Sequence, residues 1–304
     1  MTTTSDPSAA GDLLPAATTM SAVTLHVADL ARTAAYYVQA LGLHELPRET
    51  APSEVAGADG GAGRDVVVLG HGTTPLQVLV HTPDLPPARP GQAGLFHTAL
   101  LYPTRAALAA TVLLAARHPA SRYVGSADHL VSQAFYFTDP EGNGIELYWD
   151  RPRTDWRWSG GRVEMGSLAL DPDAFLRENL REEGPQAGDV GHVHLKVGDI
   201  ALARGFYVDT LGFEVTADLG TALFVSAGGY HHHLGMNTWQ SPGAGPRAAT
   251  VGLGAVAVSL PGREHLDALR ERLTAARVAV ADDGRSLRFR DPWGSLLEVG
   301  AVPA

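Results

Sequence analysis

Leu25-His26-Val27-Ala28-Asp29-Leu30 returns later in the chain as Leu195-Lys196-Val197-Gly198-Asp199-Ile200. Both copies run on in step, through Tyr37-Val38 to Leu41-Gly42 and through Tyr207-Val208 to Leu211-Gly212, with every matched pair 170 positions apart. In each copy an alternating apolar strand stops at Asp, and a helix of about three turns stops at Leu-Gly. Asp accepts hydrogen bonds from the free N–H groups of a first helical turn, and Gly tolerates the left-handed backbone that closes a last one, so both helix ends are locally encoded. The chain is therefore an internal duplication.

A second repeated pair closes each half. Phe137-Thr138-Asp139-Pro140-Glu141-Gly142 leads to Ile145-Glu146-Leu147, and Phe289-Arg290-Asp291-Pro292-Trp293-Gly294 leads to Leu297-Glu298-Val299. Asp-Pro-x-Gly between two strand-like runs is turn chemistry, with Pro fixing φ and Gly accepting φ > 0, so each copy predicts a terminal β-hairpin. The Gly/Ala/Glu-rich stretch from Arg48 to Arg64 reads as a loop insertion that lengthens the first half. Each half divides again, because strands at Gly94–Leu101 and Val251–Leu260 precede helices from about Thr104 to Arg117 and Arg263 to Arg277. The coarse order is β-α-β-β-β, four times. Residues 1–20 read as a mobile tail, 21–150 as one domain, 151–189 as a linker with a short helix started by Asp171-Pro172-Asp173, and 190–304 as the second domain.

Bulk properties narrow the function. At 304 residues the chain has room for two cores. A net charge of −10 argues against nucleic acid and acidic membranes as partners. There is no cysteine, which excludes disulfides, thiolate metal sites and cysteine nucleophiles and leaves His, Asp and Glu to hold any metal. With no signal-like start and no long apolar run, the expectation is a cytoplasmic protein. Gly252-Leu253-Gly254-Ala255-Val256-Ala257 resembles a dinucleotide-binding loop only loosely, because strand rather than helix follows it.

The residues from Leu14-Pro15 to Val23-Thr24-Leu25, the run from Gly144 to Arg153, Gly191-His192-Val193-His194-Leu195 and the run Ser226–Trp239 carry a family resemblance. Over roughly residues 14 to 300 the chain resembles the catechol-2,3-dioxygenase-like branch of the glyoxalase/bleomycin-resistance/dioxygenase (vicinal-oxygen-chelate) superfamily. The resemblance implies an α+β fold of two domains, each of two paired βαβββ modules forming a cupped mixed sheet, with a divalent metal near the bottom of a cup. In the C-terminal half it implies ligands at His192 and Glu298, with the fourth-strand position falling in His231-His232-His233 and registered at His233. The remaining first-strand position lands on Ala255, which cannot bind a metal.

His192, His233 and Glu298 remain as a two-imidazole, one-carboxylate set that suits Fe(II), with Mn(II) compatible with the same ligands. His194, His231 and His233 are the candidate proton carriers. The expected substrates are a small aromatic of the catechol type and O2, turned over by an extradiol dioxygenase. The matching positions of the N-terminal half, Ala22, Gln77, His97 and Glu146, read as a duplicate that has lost its metal. His232 reads as structural, and His26, His44, His71, His81, His118, His129 and His265 as isolated. Two alternatives stay open: a metal-free ligand-sequestering protein, which Ala255 favours, and a glyoxalase-like isomerase or lyase. Two complete halves need no partner to finish a cup, so a monomer and a homo-oligomer both remain open.

Overall fold

A computed structural model describes residues 13–50, 64–182 and 184–302. Most of the predicted tail and most of the Arg48–Arg64 insertion lie outside the described residues. Residues 13–20 do not behave as a tail: Leu14 is buried and its N–H donates to the Gly212 carbonyl at 2.8 Å. Thr18 and Met20 are buried as well, and Thr19 and Met20 pair with Ser259 and Val258, so packing and strand pairing together order this stretch.

The first module comprises β1 (Thr19–Val27), α1 (Leu30–Leu41), β2 (His44–Leu46), β3 (Val66–His71) and β4 (Thr74–His81). The second comprises β5 (Gly94–Leu101), α2 (Arg105–Arg117), β6 (Arg122–Asp128), β7 (Ser132–Thr138) and β8 (Gly144–Asp150). The connecting segment holds the short strands β9 (Trp158–Ser159), β10 (Arg162–Val163) and β11 (Leu168–Ala169) and the helix α3 (Pro172–Asn179). The third module comprises β12 (Asp189–Lys196), α4 (Ile200–Arg204, continuing as a π-turn over Gly205–Thr210), β13 (Glu214–Asp218), β14 (Ala222–Ser226) and β15 (Leu234–Asn237). The fourth comprises β16 (Gly252–Leu260), α5 (Arg263–Ala275), β17 (Ala281–Asp282), β18 (Ser286–Arg290) and β19 (Leu296–Ala301).

The encoded ends form as expected. Asp29 accepts from Arg32 N–H and Asp199 from Leu202 N–H, and Gly42 closes α1 at φ 70°. In the two Asp-Pro-x-Gly turns, Gly142 and Gly294 sit at φ 86° and 81° and donate back to the Asp139 and Asp291 carbonyls. No described helix is long and apolar enough to cross a membrane.

The four modules make two cupped mixed sheets, but the pairing crosses the halves. One sheet of nine strands runs β11-β6-β7-β8-β5-β12-β15-β14-β13, joining the second module to the third. The other, of eight strands, runs β17-β18-β19-β16-β1-β4-β3-β2, joining the first to the fourth. The first strands meet antiparallel in both, β5 on β12 and β1 on β16. The expectation of one cup per half is corrected here. Alternation of apolar residues says which face of a strand is buried, but four modules with equivalent first-strand edges leave the choice of neighbour to tertiary packing.

Candidate metal centre

Alternation along β12 puts His192, His194 and Lys196 on one face, the concave face of the nine-stranded sheet. Across the seam β5 brings His97, and β8, parallel to β5, brings Glu146. The Nε2 atoms of His97 and His192 lie 2.9 and 3.1 Å from Glu146 Oε2. All three residues are buried, and one ligand atom from each falls within 4.8 Å of the others. His97 Nε2 reaches the carboxylate without the direction of a hydrogen bond, and it and His192 Nδ1 are left without a hydrogen-bond partner. An orphaned buried nitrogen is costly, and His97 Nε2, converging with His192 Nε2 on one carboxylate oxygen, has the arrangement that an ion resolves.

The protonation states fit as well. Burial lowers His192 to about 4 even though Glu146 opposes the shift. Burial alone would raise the Glu146 carboxyl, but the His192 and His97 imidazoles outweigh it and hold the carboxyl well below its ordinary range. A neutral His192 beside an ionised Glu146 is the state that binds a metal. Two nitrogens and one oxygen on one side of a point leave open positions, the ligand set of non-haem iron oxygenases.

Two hydrogen-bonded arms flank the cluster. On one, His129 Nδ1 lies 2.7 Å from the Gly166 carbonyl and Nε2 lies 2.6 Å from the Tyr136 hydroxyl. A carbonyl accepts only, so Nδ1 carries the proton and Nε2 accepts from Tyr136. Tyr136 is the cross-strand partner of Glu146, and burial together with that carboxylate raises its pKa well above 10.0. On the other arm, His231 Nε2 is 2.9 Å from Asp150 Oδ1, while Asp150 Oδ2 accepts from Tyr230 at 2.7 Å. His231 Nε2 is then the donor, its Nδ1 accepts from His232 Nδ1 at 2.7 Å, and His232 Nε2 keeps a free lone pair. The His232 ring lies 4.0 Å from that of His192, and burial holds it neutral.

The centre opens into a cavity of about 700 Å3 whose lining includes His194, Phe96, Phe224, Trp239, His129 and Lys196. Asn237 Nδ2 donates to His194 Nε2 at 3.0 Å, and the His194 ring is surrounded by Phe96, Phe224 and Trp239 at 5.1 to 5.8 Å.

Of the residues singled out from sequence, His192 enters the cluster and His194 lines the cavity, while His231 stands one ring behind it. Glu298 does not join His192: it lies on β19 in the eight-stranded sheet, beside Ala257 and opposite Arg288. His233 is also elsewhere, with Nδ1 accepting from Ala227 N–H and its ring turned to Tyr230 and Phe213. His232, read as structural, takes the place beside His192. Strand alternation would set His231 and His233 on one face and His232 on the other, but 231–233 precede β15, in a loop bent by Gly228 and Gly229 at φ 64° and 66°. The other two members of the cluster, His97 and Glu146, are the pair assigned to a spent duplicate. A signal for them was present: the halves lack different first-strand ligands, Ala22 in one and Ala255 in the other, so His192 and His97 complete one site only when the halves cross. His129 had no such signal.

The model of the Glyoxalase/Bleomycin resistance protein/Dioxygenase superfamily matches residues 19–147 and 189–299, and the chain belongs to that superfamily. Its sequence is 36% identical over 275 residues to a catechol-2,3-dioxygenase of Bacillus subtilis, spanning 88% of this chain and 92% of that protein. Among solved structures the fold matches a Bacillus subtilis protein described as a candidate dioxygenase, with a TM-score of 0.63 at 15% identity over 94% and 86% of the two chains. It also matches glyoxalase I from Zea mays, with a TM-score of 0.56 at 16% identity over 94% and 92%.

Proposed function

We propose that the chain is an extradiol-type, ring-cleaving dioxygenase for catechol-like substrates, with His97, His192 and Glu146 holding Fe(II), for which Mn(II) is a chemically compatible substitute. The observation that carries this reading is the meeting of two buried imidazoles, His97 and His192, with the Glu146 carboxylate at one end of a largely apolar cavity. The likeness to the Bacillus subtilis catechol-2,3-dioxygenase supports the choice of substrate class. A divalent ion held there acidifies the hydroxyls of a chelating diol, and iron adds the redox capacity for O2.

The chain's own groups do the rest. His232 Nε2, the free acceptor at the end of the Asp150–His231 arm, takes a proton from a hydroxyl arriving over His192. Tyr136, donating to His129, sits across from Glu146 and orients the opposite side of the substrate. Phe96, Phe224 and Trp239 exclude water and supply ring faces to a planar molecule.

The metal-free reading rested on Ala255, and that residue lies in the other cup. Anaerobic loading with Fe(II), followed by catechol and O2, tests the proposal. The expected result is O2 consumed in step with a ring-opened, visibly absorbing product. Protein that binds the ion yet opens no ring with either metal overturns it, and isomerisation without O2 uptake points to glyoxalase-type chemistry.

A further inference from the structure

We propose that the substrate is a catechol bearing an apolar arm that ends in an anionic group, and that Lys196 receives that anion. The inference rests on the ring-cleaving reading and deepens it. His192, His194 and Lys196 share one face of β12, and four strand residues at ~3.3 Å each set the ligand His and the lysine ~13 Å apart along the cavity wall. The cavity of about 700 Å3 extends along this wall from Glu146 to Lys196. Between them stands His194, ringed by Phe96, Phe224 and Trp239, and with Leu219 these make the lining there mainly apolar. A volume in the range of drug-sized ligand sites is far more than a single dihydroxylated ring fills.

Lys196 is the one Lys or Arg in the lining of this cavity, and no ion pair among the described residues uses it. A second cation stands behind it. Gly94 is the cross-strand partner of Lys196, and the Arg247 guanidinium carbon lies 3.7 Å from where a Cβ on Gly94 would be. Burial first, and then the positive charge of Arg247, lowers the pKa of Lys196. Asp291 offsets part of the Arg247 charge, whereas Lys196, partly desolvated beside that guanidinium, is costly without an anion of its own. The equivalent position of the other cup holds His26 rather than a lysine.

The test uses catechols with alkyl arms of increasing length, each ending either in a carboxylate or in the matching primary amide. They are assayed on Fe(II)-loaded wild type, Lys196→Met and Lys196→Arg. The wild type is expected to favour the carboxylate over the amide by about tenfold in kcat/KM at one arm length, chiefly through KM. The ratio falls to about one in Lys196→Met, which keeps the apolar stem, and is partly restored in Lys196→Arg. Calorimetry with the same arms on a plain phenyl ring reads the anion site without turnover. A carboxylate preference there that depends on Lys196, with no ring cleavage of any catechol, leaves this inference standing and removes the dioxygenase reading. Cleavage of catechols with no carboxylate preference, or a preference unchanged in Lys196→Met, overturns the inference alone.

Discussion

The two cups share one backbone plan and differ in what lines them. Val193 pairs with Thr98 and His194 with His97 in the nine-stranded sheet, as Val23 pairs with Val256 and Thr24 with Ala255 in the eight-stranded one. In the same way Ala99 is set beside Glu146 and Ala257 beside Glu298. On this frame His192 and His97 correspond to Ala22 and Ala255. Ala22 belongs to an apolar cluster with Val68, Val78 and Val80. The carboxylate survives in both cups, yet Glu146 faces Tyr136 across the strands whereas Glu298 faces Arg288. A carboxylate in a cup is therefore no metal site: the same position joins a ligand set when imidazoles surround it and faces a guanidinium when alanines do.

The largest expected contrast comes from removing each carboxylate in turn. Glu146→Ala, His97→Ala and His192→Ala should each take the metal content from about one ion per chain towards none and abolish turnover, since a two-imidazole, one-carboxylate set has no ligand to spare. Glu298→Ala should leave the metal content unchanged. Metal analysis of the purified variants reads this directly, and an ion lost from Glu298→Ala but kept in Glu146→Ala would return the site to the C-terminal half.

The reverse experiment asks whether the empty cup can be filled. Ala22→His with Ala255→His restores the imidazoles beside Glu298, and Arg288→Tyr replaces the facing guanidinium. The triple variant should bind a second ion per chain and the double variant should not. Two larger side chains in a packed interior cost ~1–3 kcal/mol each, so the melting temperature should fall before metal is added and recover with it. A folded triple variant that still holds a single ion would show that the two cups are less alike than their registers imply.

Smaller effects are expected around the proposed metal site. His232→Gln should keep the ion while lowering kcat by roughly a hundredfold, the usual scale for a lost proton-transfer group, and Tyr136→Phe, which removes an orienting hydroxyl, should keep the ion and lower kcat less. The matched change in the other cup, Arg288→Tyr alone, should not alter kcat. Stopped-flow turnover of metal-matched samples measures both, and a variant that loses its ion along with its rate would assign the residue to metal retention.

How much of this was legible in the sequence depends on the range of the interaction. The helix caps at Asp29 and Asp199, the turns at Asp139 and Asp291 and the four modules were readable because each is settled within a few residues. His192 was readable because the family resemblance places a ligand on that first strand, at a fixed distance before the helix cap Asp199. The partnership of His192 with His97 and Glu146 was not, because it depends on β12 choosing β5 over β16, a decision made by whole packed faces. His232 was hidden for a local reason: two glycines with positive φ turn the chain just before it, so counting alternate residues gives the wrong face.

The smallest contrast lies at the matched pair His26 and Lys196. Burial, then the charges of Arg64, Arg247 and Arg290, lowers His26 from 6.5 to about 4. The unfolded chain thus binds a proton here that the folded chain refuses between these two values. The stability this histidine contributes is complete above pH 6.5 and is lost as the pH falls through that window towards 4. With some solvent access the loss amounts to ~2 kcal/mol. His26→Gln carries no titrating group, so wild type should lose that much more than the variant between pH 7.5 and 4.5 in urea unfolding. Equal losses in the two proteins would mean that neither burial nor the nearby arginines hold His26 neutral.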